Sequence, residues 1–130
     1  MNKKLLIAGS ILGLISIILG AFGAHGLKAL VSAENIQTFE TGVRYQMYHA
    51  LLLLFVGSSH LIQPKTKALI FYFTLIGIVF FSGSIYGLAT NSLTSFDFTN
   101  IALITPVGGL LLILAWVMLL INFLKTHFDK

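Results

Sequence analysis

Twelve charged residues interrupt a chain of 130, and they leave four long uncharged runs: 23 residues between Lys4 and Lys28, 20 between Arg44 and Lys65, 29 between Lys67 and Asp97, and 27 between Asp97 and Lys125. An α-helix rises about 1.5 Å per residue, so roughly 20 mainly apolar residues cross the hydrocarbon layer of a bilayer. Each run is long enough to span once. The pattern predicts an all-α membrane protein, a bundle of four transmembrane helices in one domain over 1–130, with spans near 5–24, 44–62, 68–89 and 101–124.

Composition agrees: 9% charged and 57% hydrophobic residues with a mean hydropathy of +0.96 lie far from the roughly 25% charged balance of soluble domains. The pI near 9.6 does not point to nucleic acid, because the positive side chains sit at span ends instead of clustering on one surface. Short cytoplasmic segments are enriched in Lys and Arg. With a cytoplasmic N-terminus, six of the eight positive residues, Lys3, Lys4, Lys65, Lys67, Lys125 and Lys130, share that side. A plasma-membrane protein with both termini cytoplasmic is expected. The apolar stretch after Lys4 runs nearly 20 residues, longer than the roughly 7 to 15 of a secretory leader, which favours a retained first helix. Without cysteine there is neither a disulfide framework nor a thiolate ligand.

Between the first two spans, Ser32 is a plausible N-cap, and Ile36, Phe39 and Val43 recur at three- and four-residue spacing among Glu34, Gln37 and Glu40. This predicts a short amphipathic helix lying in the interface; the alternative is an irregular loop. In lipid, small residues on one helix face let backbones approach closely. Gly9, Gly13 and Gly20 in the first span, and Gly77, Gly83 and Gly87 in the third, are the candidate packing glycines. Pro106 with Gly108 and Gly109 should kink or loosen the outer third of the fourth span. Phe96 and Phe98 of the last loop are candidates to rest at the interface.

The second span is the most polar. Gln46, His49, His60 and Gln63 share a face at 3.6 residues per turn, and that face is expected to point into the bundle. A candidate functional cluster gathers toward the outer leaflet: His25, Arg44, Tyr45, Tyr48, His49 and Tyr86, with Glu40 spaced to pair with Arg44. A plain structural account has Arg44 snorkelling, the tyrosines in an aromatic belt and the histidines bonded to backbone carbonyls. Sharper alternatives make His25 and His49 ligands of a metal or haem, or His49 and His60 a proton relay. The histidines lack metal-ligand spacing, so no metal and no cofactor is expected. All four acidic residues lie in connections or the tail, and no Gly-x-Ser-x-Gly elbow occurs, so an enzyme is not expected.

The segments Gly20-Ala21-Phe22-Gly23-Ala24-His25-Gly26-Leu27, Thr41-Gly42-Val43-Arg44-Tyr45-Gln46-Met47-Tyr48-His49-Ala50-Leu51, Phe81-Ser82-Gly83-Ser84-Ile85-Tyr86 and Ile104-Thr105-Pro106-Val107-Gly108-Gly109, with Trp116, resemble those of a bacterial inner-membrane family. This is domain-of-unknown-function family 423, which has small four-span eukaryotic relatives. The resemblance runs over essentially the whole chain. It implies a multi-pass plasma-membrane protein and brings no activity or catalytic residue with it. The expected role is a non-catalytic structural, assembly or accessory component, in contact with the lipid bilayer and either a homo-oligomer or a partner of another membrane protein. The alternative is a small-solute or proton transporter, or a ligand-, haem- or metal-binding module using the outer cluster.

Overall fold

A computed structural model describes residues 1–94, 97 and 102–126. Among these, every regular element is helical: α1 (Asn2–Ala24), α2 (Ala33–Ser58), α3 (Pro64–Ile78), a π-helical turn (Val79–Gly83), α4 (Ser84–Ala89) and α5 (Ile104–Lys125), with short 3-10 turns at Leu27–Ala29 and Asn91–Leu93. Because α3, the π turn and α4 run on without a break, the helices form four rods. Three stretches, Asn2–Ala29, Pro64–Ala89 and Ile104–Lys125, are long and apolar enough to cross a membrane. The longest single helix, α2, is not among them, since Glu34, Glu40, Arg44, Gln46 and His49 dilute its apolar content.

The rods are layered. α1 packs along α2, α2 meets α3, the π turn and α4, and α5 packs along α3 and the π turn. α1 and α5 are the outer members. One apolar cluster, built on Leu5, Leu53, Val56, Ile70, Ala115 and Leu119, joins all four rods near the N-terminal end of the chain. A smaller one at the opposite end joins Leu27, Phe39 and Ala89. Large apolar side chains such as Ile17, Ile18, Ile113 and Leu120 stay exposed on the outer faces, which suits a lipid surrounding.

The local signals at helix starts act as their chemistry dictates. Ser32 caps α2, its Oγ accepting the Asn35 N–H at 3.2 Å, and Pro64 opens α3, where a missing N–H costs nothing. Several boundaries differ from expectation. The segment expected as a separate amphipathic helix is the first third of α2, which continues through Arg44 without a break. Packing explains this: Phe39 is buried against Leu27 and Ala89, and Gly42 lies beneath Tyr86. The same helix stops at Ser58, with Ser59 extended, so His60 and Gln63 belong to the following turn, and both are exposed. Nor does Pro106 kink a helix. α5 begins at Ile104, which puts Pro106 in the first turn, where its nitrogen has no intrahelical bond to lose. Phe96 and Phe98 lie outside the described residues.

Candidate functional site

The polar side chains inside the bundle converge where α2 crosses the π turn, α4 and α5. Gln46, only 3% exposed, donates from Nε2 to the Leu12 carbonyl of α1 at 2.9 Å and accepts the Tyr86 hydroxyl of α4 at 2.6 Å. One side chain thus ties three rods. One turn toward the start of α2, Ser82 of the π turn donates to the Gly42 carbonyl at 2.8 Å.

His49, 4% exposed, completes the network toward α5. Trp116 Nε1 lies 3.1 Å from His49 Nε2, and an indole N–H can only donate. His49 Nε2 is therefore the acceptor, and the ring proton sits on Nδ1, which donates to the Tyr45 carbonyl at 2.6 Å. This is a neutral imidazole with both nitrogens in use. Beside it, Tyr45, His49, Phe81, Leu112, Ile113 and Trp116 line a cleft of about 290 Å³ between α2 and α5. The Tyr45 ring meets those of Phe81 at 5.1 Å and Tyr48 at 5.6 Å.

The π turn carries its own polar support. The Ser84 hydroxyl is 2.5 Å from the Phe80 carbonyl, 3.0 Å from that of Phe81 and 2.5 Å from the Thr105 hydroxyl. By donating to the π-turn carbonyls and accepting from Thr105, it satisfies groups that a widened turn leaves without their usual partner and links the rod to the start of α5. Thr74 Oγ1 is the one buried side-chain polar atom among the described residues without a hydrogen-bond partner.

The six residues of the sequence-derived cluster separate into two groups. His49 and Tyr86 enter the network, and Tyr45 flanks it. His25 stands exposed at the end of α1, and Tyr48 is half exposed on the α2 surface. Arg44 is exposed and donates to Thr41 Oγ1 at 3.0 Å; it does not pair with Glu40. Among the described residues no group of three His, Asp or Glu side chains could hold a metal ion. Ligation by His49 Nε2 would first require release of Trp116. Leu53, Val56 and Gly57, between His49 and His60, are buried and apolar.

The glycines also sort by environment. A Cβ on Gly9 would fall 2.9 Å from the Ala50 carbonyl oxygen, so α1 and α2 meet there backbone to backbone. At Gly77 it would meet Leu112 at 2.7 Å, and at Gly108 the Gly77 carbonyl oxygen at 2.8 Å. These two glycines form the crossing of α3 and α5. Gly13, Gly20 and Gly109 sit in ordinary contact, with nearest atoms at 3.8, 3.6 and 3.5 Å. Gly83 has nothing within 4 Å and is exposed, while Gly87 is half-buried in α4.

Sequence reasoning missed Gln46 as the central tie, Ser82, Gly42, and the pairing of Trp116 with His49. It also missed two residues at the far end of the bundle. Lys67, 5% exposed, turns inward and donates to Asn2 Oδ1 at 2.8 Å and to the Ser59 carbonyl at 2.5 Å. Asn122 accepts the Gln63 N–H and donates to the Leu61 carbonyl, both at 3.1 Å. An asparagine inside an apolar run was the available signal for the second.

Apolar rods with exposed hydrophobic faces around a hydrogen-bonded polar interior define a helical membrane protein. Its relatives carry the same description. A family model described as "Protein of unknown function (DUF423)" matches residues 19–109, and the chain belongs to that family. It is 37% identical over 127 residues to the "UPF0382 membrane protein" of Haemophilus influenzae, covering 97% of this chain and 98% of the relative. It is 36% identical over 125 residues to the "UPF0382 membrane protein YwdK" of Bacillus subtilis, with 95% and 98% covered. With the "UPF0382 inner membrane protein YgdD" of Escherichia coli it shares 34% over 127 residues, covering 95% and 92%. No solved structure matches.

Proposed function

We propose that the protein is a non-catalytic structural or assembly component of the bacterial plasma membrane that acts through helix contacts, with four rods crossing the bilayer and both termini cytoplasmic. The observation that carries this reading is the spending of interior polarity. Gln46, His49, Ser82, Tyr86 and Trp116 are all bonded to a neighbouring rod or to one another, which is what glue between helices requires and leaves, among the described residues, no chain of free polar groups for a solute or proton. The exposed apolar faces of α1 and α5 offer surface for a second copy or another membrane protein. The fourth crossing is assigned to α2. Its 26 residues extend about 39 Å, and its most polar interior residues, Gln46 and His49, are turned away from lipid. Five of the seven positive side chains among the described residues lie at the end holding Met1 and Lys125, which supports that end as cytoplasmic.

Site-specific crosslinking from α1 and α5 in native membranes tests the role, with a discrete adduct to a second copy or to one defined membrane protein as the expected product. Trapping of lipid and monomer alone would remove it. Impermeant labelling of cysteines placed at each terminus tests topology, and both are expected to be protected in intact cells.

A second reading rests on the cleft beside His49. Its aromatic walls and single polar edge suit an apolar ligand with one hydrogen-bonding group, positioned by the Tyr45 hydroxyl, which has no hydrogen-bond partner among the described residues. Mass spectrometry of small molecules retained by the wild type and lost from Tyr45→Phe would favour it; identical profiles would remove it.

A further inference from the structure

At the end of the bundle opposite His25, the first turn of α3 and the last turn of α5 enclose a cleft of about 270 Å³. Its lining carries Lys65, Thr66 and Lys125, and its wall is apolar, formed by Leu69, Met118 and Ile121. We infer that this cleft binds one anionic phospholipid from the surrounding leaflet, the phosphate held by Lys65, Lys125 and Thr66 and an acyl chain lying along Leu69, Met118 and Ile121.

Four observations support the assignment. Among the described residues no carboxylate lines the cleft and neither lysine forms an ion pair or hydrogen bond, so two positive charges meet at one opening. The nearby Lys67 is committed inward to Asn2 and Ser59, which makes Lys65 and Lys125 a distinct pair and not part of a diffuse basic rim. The cleft is also preformed. Asn122, buried at its floor, clamps the α2–α3 turn to α5 through both ends of its carboxamide. Finally, the charges and the apolar wall are stacked in the order of a lipid. Lys65 and Lys125 lie at helix ends, where headgroups sit, and Leu69 and Ile121, 40% and 43% exposed, lie one turn deeper, where acyl chains begin. Basic pockets between helices at the membrane surface recognise anionic headgroups for this reason, and the positive start of α3 adds to the same field. A soluble phosphate would make no use of the apolar wall.

The test is native mass spectrometry of the full chain released from detergent with phosphatidylglycerol or phosphatidylcholine added in equal amounts. Wild type should retain phosphatidylglycerol preferentially. Losing a surface lysine weakens anionic-lipid binding about fivefold, so Lys65→Gln and Lys125→Gln should each show that loss and the double variant about thirtyfold. Lys65→Arg with Lys125→Arg should retain the lipid, and Lys3→Gln with Lys4→Gln, which removes equal charge from the same end, should change retention less than twofold. Helical content measured by circular dichroism checks that each variant is folded, and the single variants stand in if the double does not fold. An equal loss in the Lys3, Lys4 variant, unchanged retention in the Lys65, Lys125 variant, or equal retention of phosphatidylcholine would overturn the assignment. Displacement of the lipid by equimolar glycerol phosphate would overturn it as well, since the site would then belong to a soluble phosphate.

Discussion

The crossing of α3 and α5 gives the sharpest mechanical prediction, through Gly108→Ala. A methyl group there meets backbone on every side: the Gly77 carbonyl oxygen and the Phe80 carbonyl carbon at 2.8 Å, with the Phe81 nitrogen nearer still. None of these can rotate away as a side chain can. Restoring ordinary contact near 3.4 Å therefore moves α5 outward by more than about 0.6 Å, since the Phe81 nitrogen requires the larger shift. A radial gap of 0.5–1 Å forfeits roughly a quarter to a half of the dispersion attraction of the separated atoms. Overpacking of this kind costs about 1 to 3 kcal/mol, and with only backbone to yield, the upper value of about 3 kcal/mol is expected, a shift of roughly 150-fold in the folding equilibrium. Gly77→Ala is the milder partner, because its nearest obstacle is the end of the Leu112 side chain at 2.7 Å, and about 1 kcal/mol is expected. Gly83→Ala meets nothing within 4 Å and should be neutral or stabilising by about 0.5 to 1 kcal/mol. Denaturation from detergent micelles, followed by circular dichroism and by the fluorescence of the single tryptophan, Trp116, orders the three. Wild-type stability for Gly108→Ala, or an equal loss for Gly83→Ala, would refute the reasoning.

Three further outcomes are expected. Gln46→Leu removes bonds to two rods and should cost roughly 1 to 3 kcal/mol, while adding Tyr86→Phe should cost little more, because the phenol has already lost its partner; a double-mutant cycle in the same denaturation assay reads the coupling. His49→Ala frees the Trp116 indole N–H, so its emission should shift and stability should fall by about 1 to 2 kcal/mol, whereas unchanged emission would argue against the bond. Thr74→Val replaces a buried, unpartnered hydroxyl with a methyl group of similar size and should raise the denaturation midpoint by the equivalent of about 1 kcal/mol.

What the amino-acid order reveals here depends on the range of the interaction involved. Lengths of uncharged runs respond to the bilayer's thickness, so the three apolar rods follow from the spacing of twelve charges. Ser32 and Pro64 act on amides within one turn, and their effects are read locally. Arg44 misled because a charge was taken as the edge of a helix, when its stem lies on the surface of a rod whose other face is packed through Phe39 and Gly42. Gly83 and Gly108 have the same chemistry and opposite surroundings, which only the crossing of rods decides. The bond between His49 and Trp116 joins residues 67 positions apart; each alone reads as an isolated amphipathic side chain.

The widened turn at Val79–Gly83 has an angular consequence. Each residue of a regular helix advances the side-chain direction by about 100°, so one additional residue in a turn rephases everything downstream by that amount. Tyr86 is aimed at Gln46, and Ser84 at Thr105, only with the extra residue present. Deleting Gly83 alone would leave every hydrophobic residue in place while rotating α4 by more than a quarter circle, turning the Ser84 and Tyr86 hydroxyls away from Thr105 and Gln46. The turn serves as a phase setting for α4 and the hydroxyls it carries.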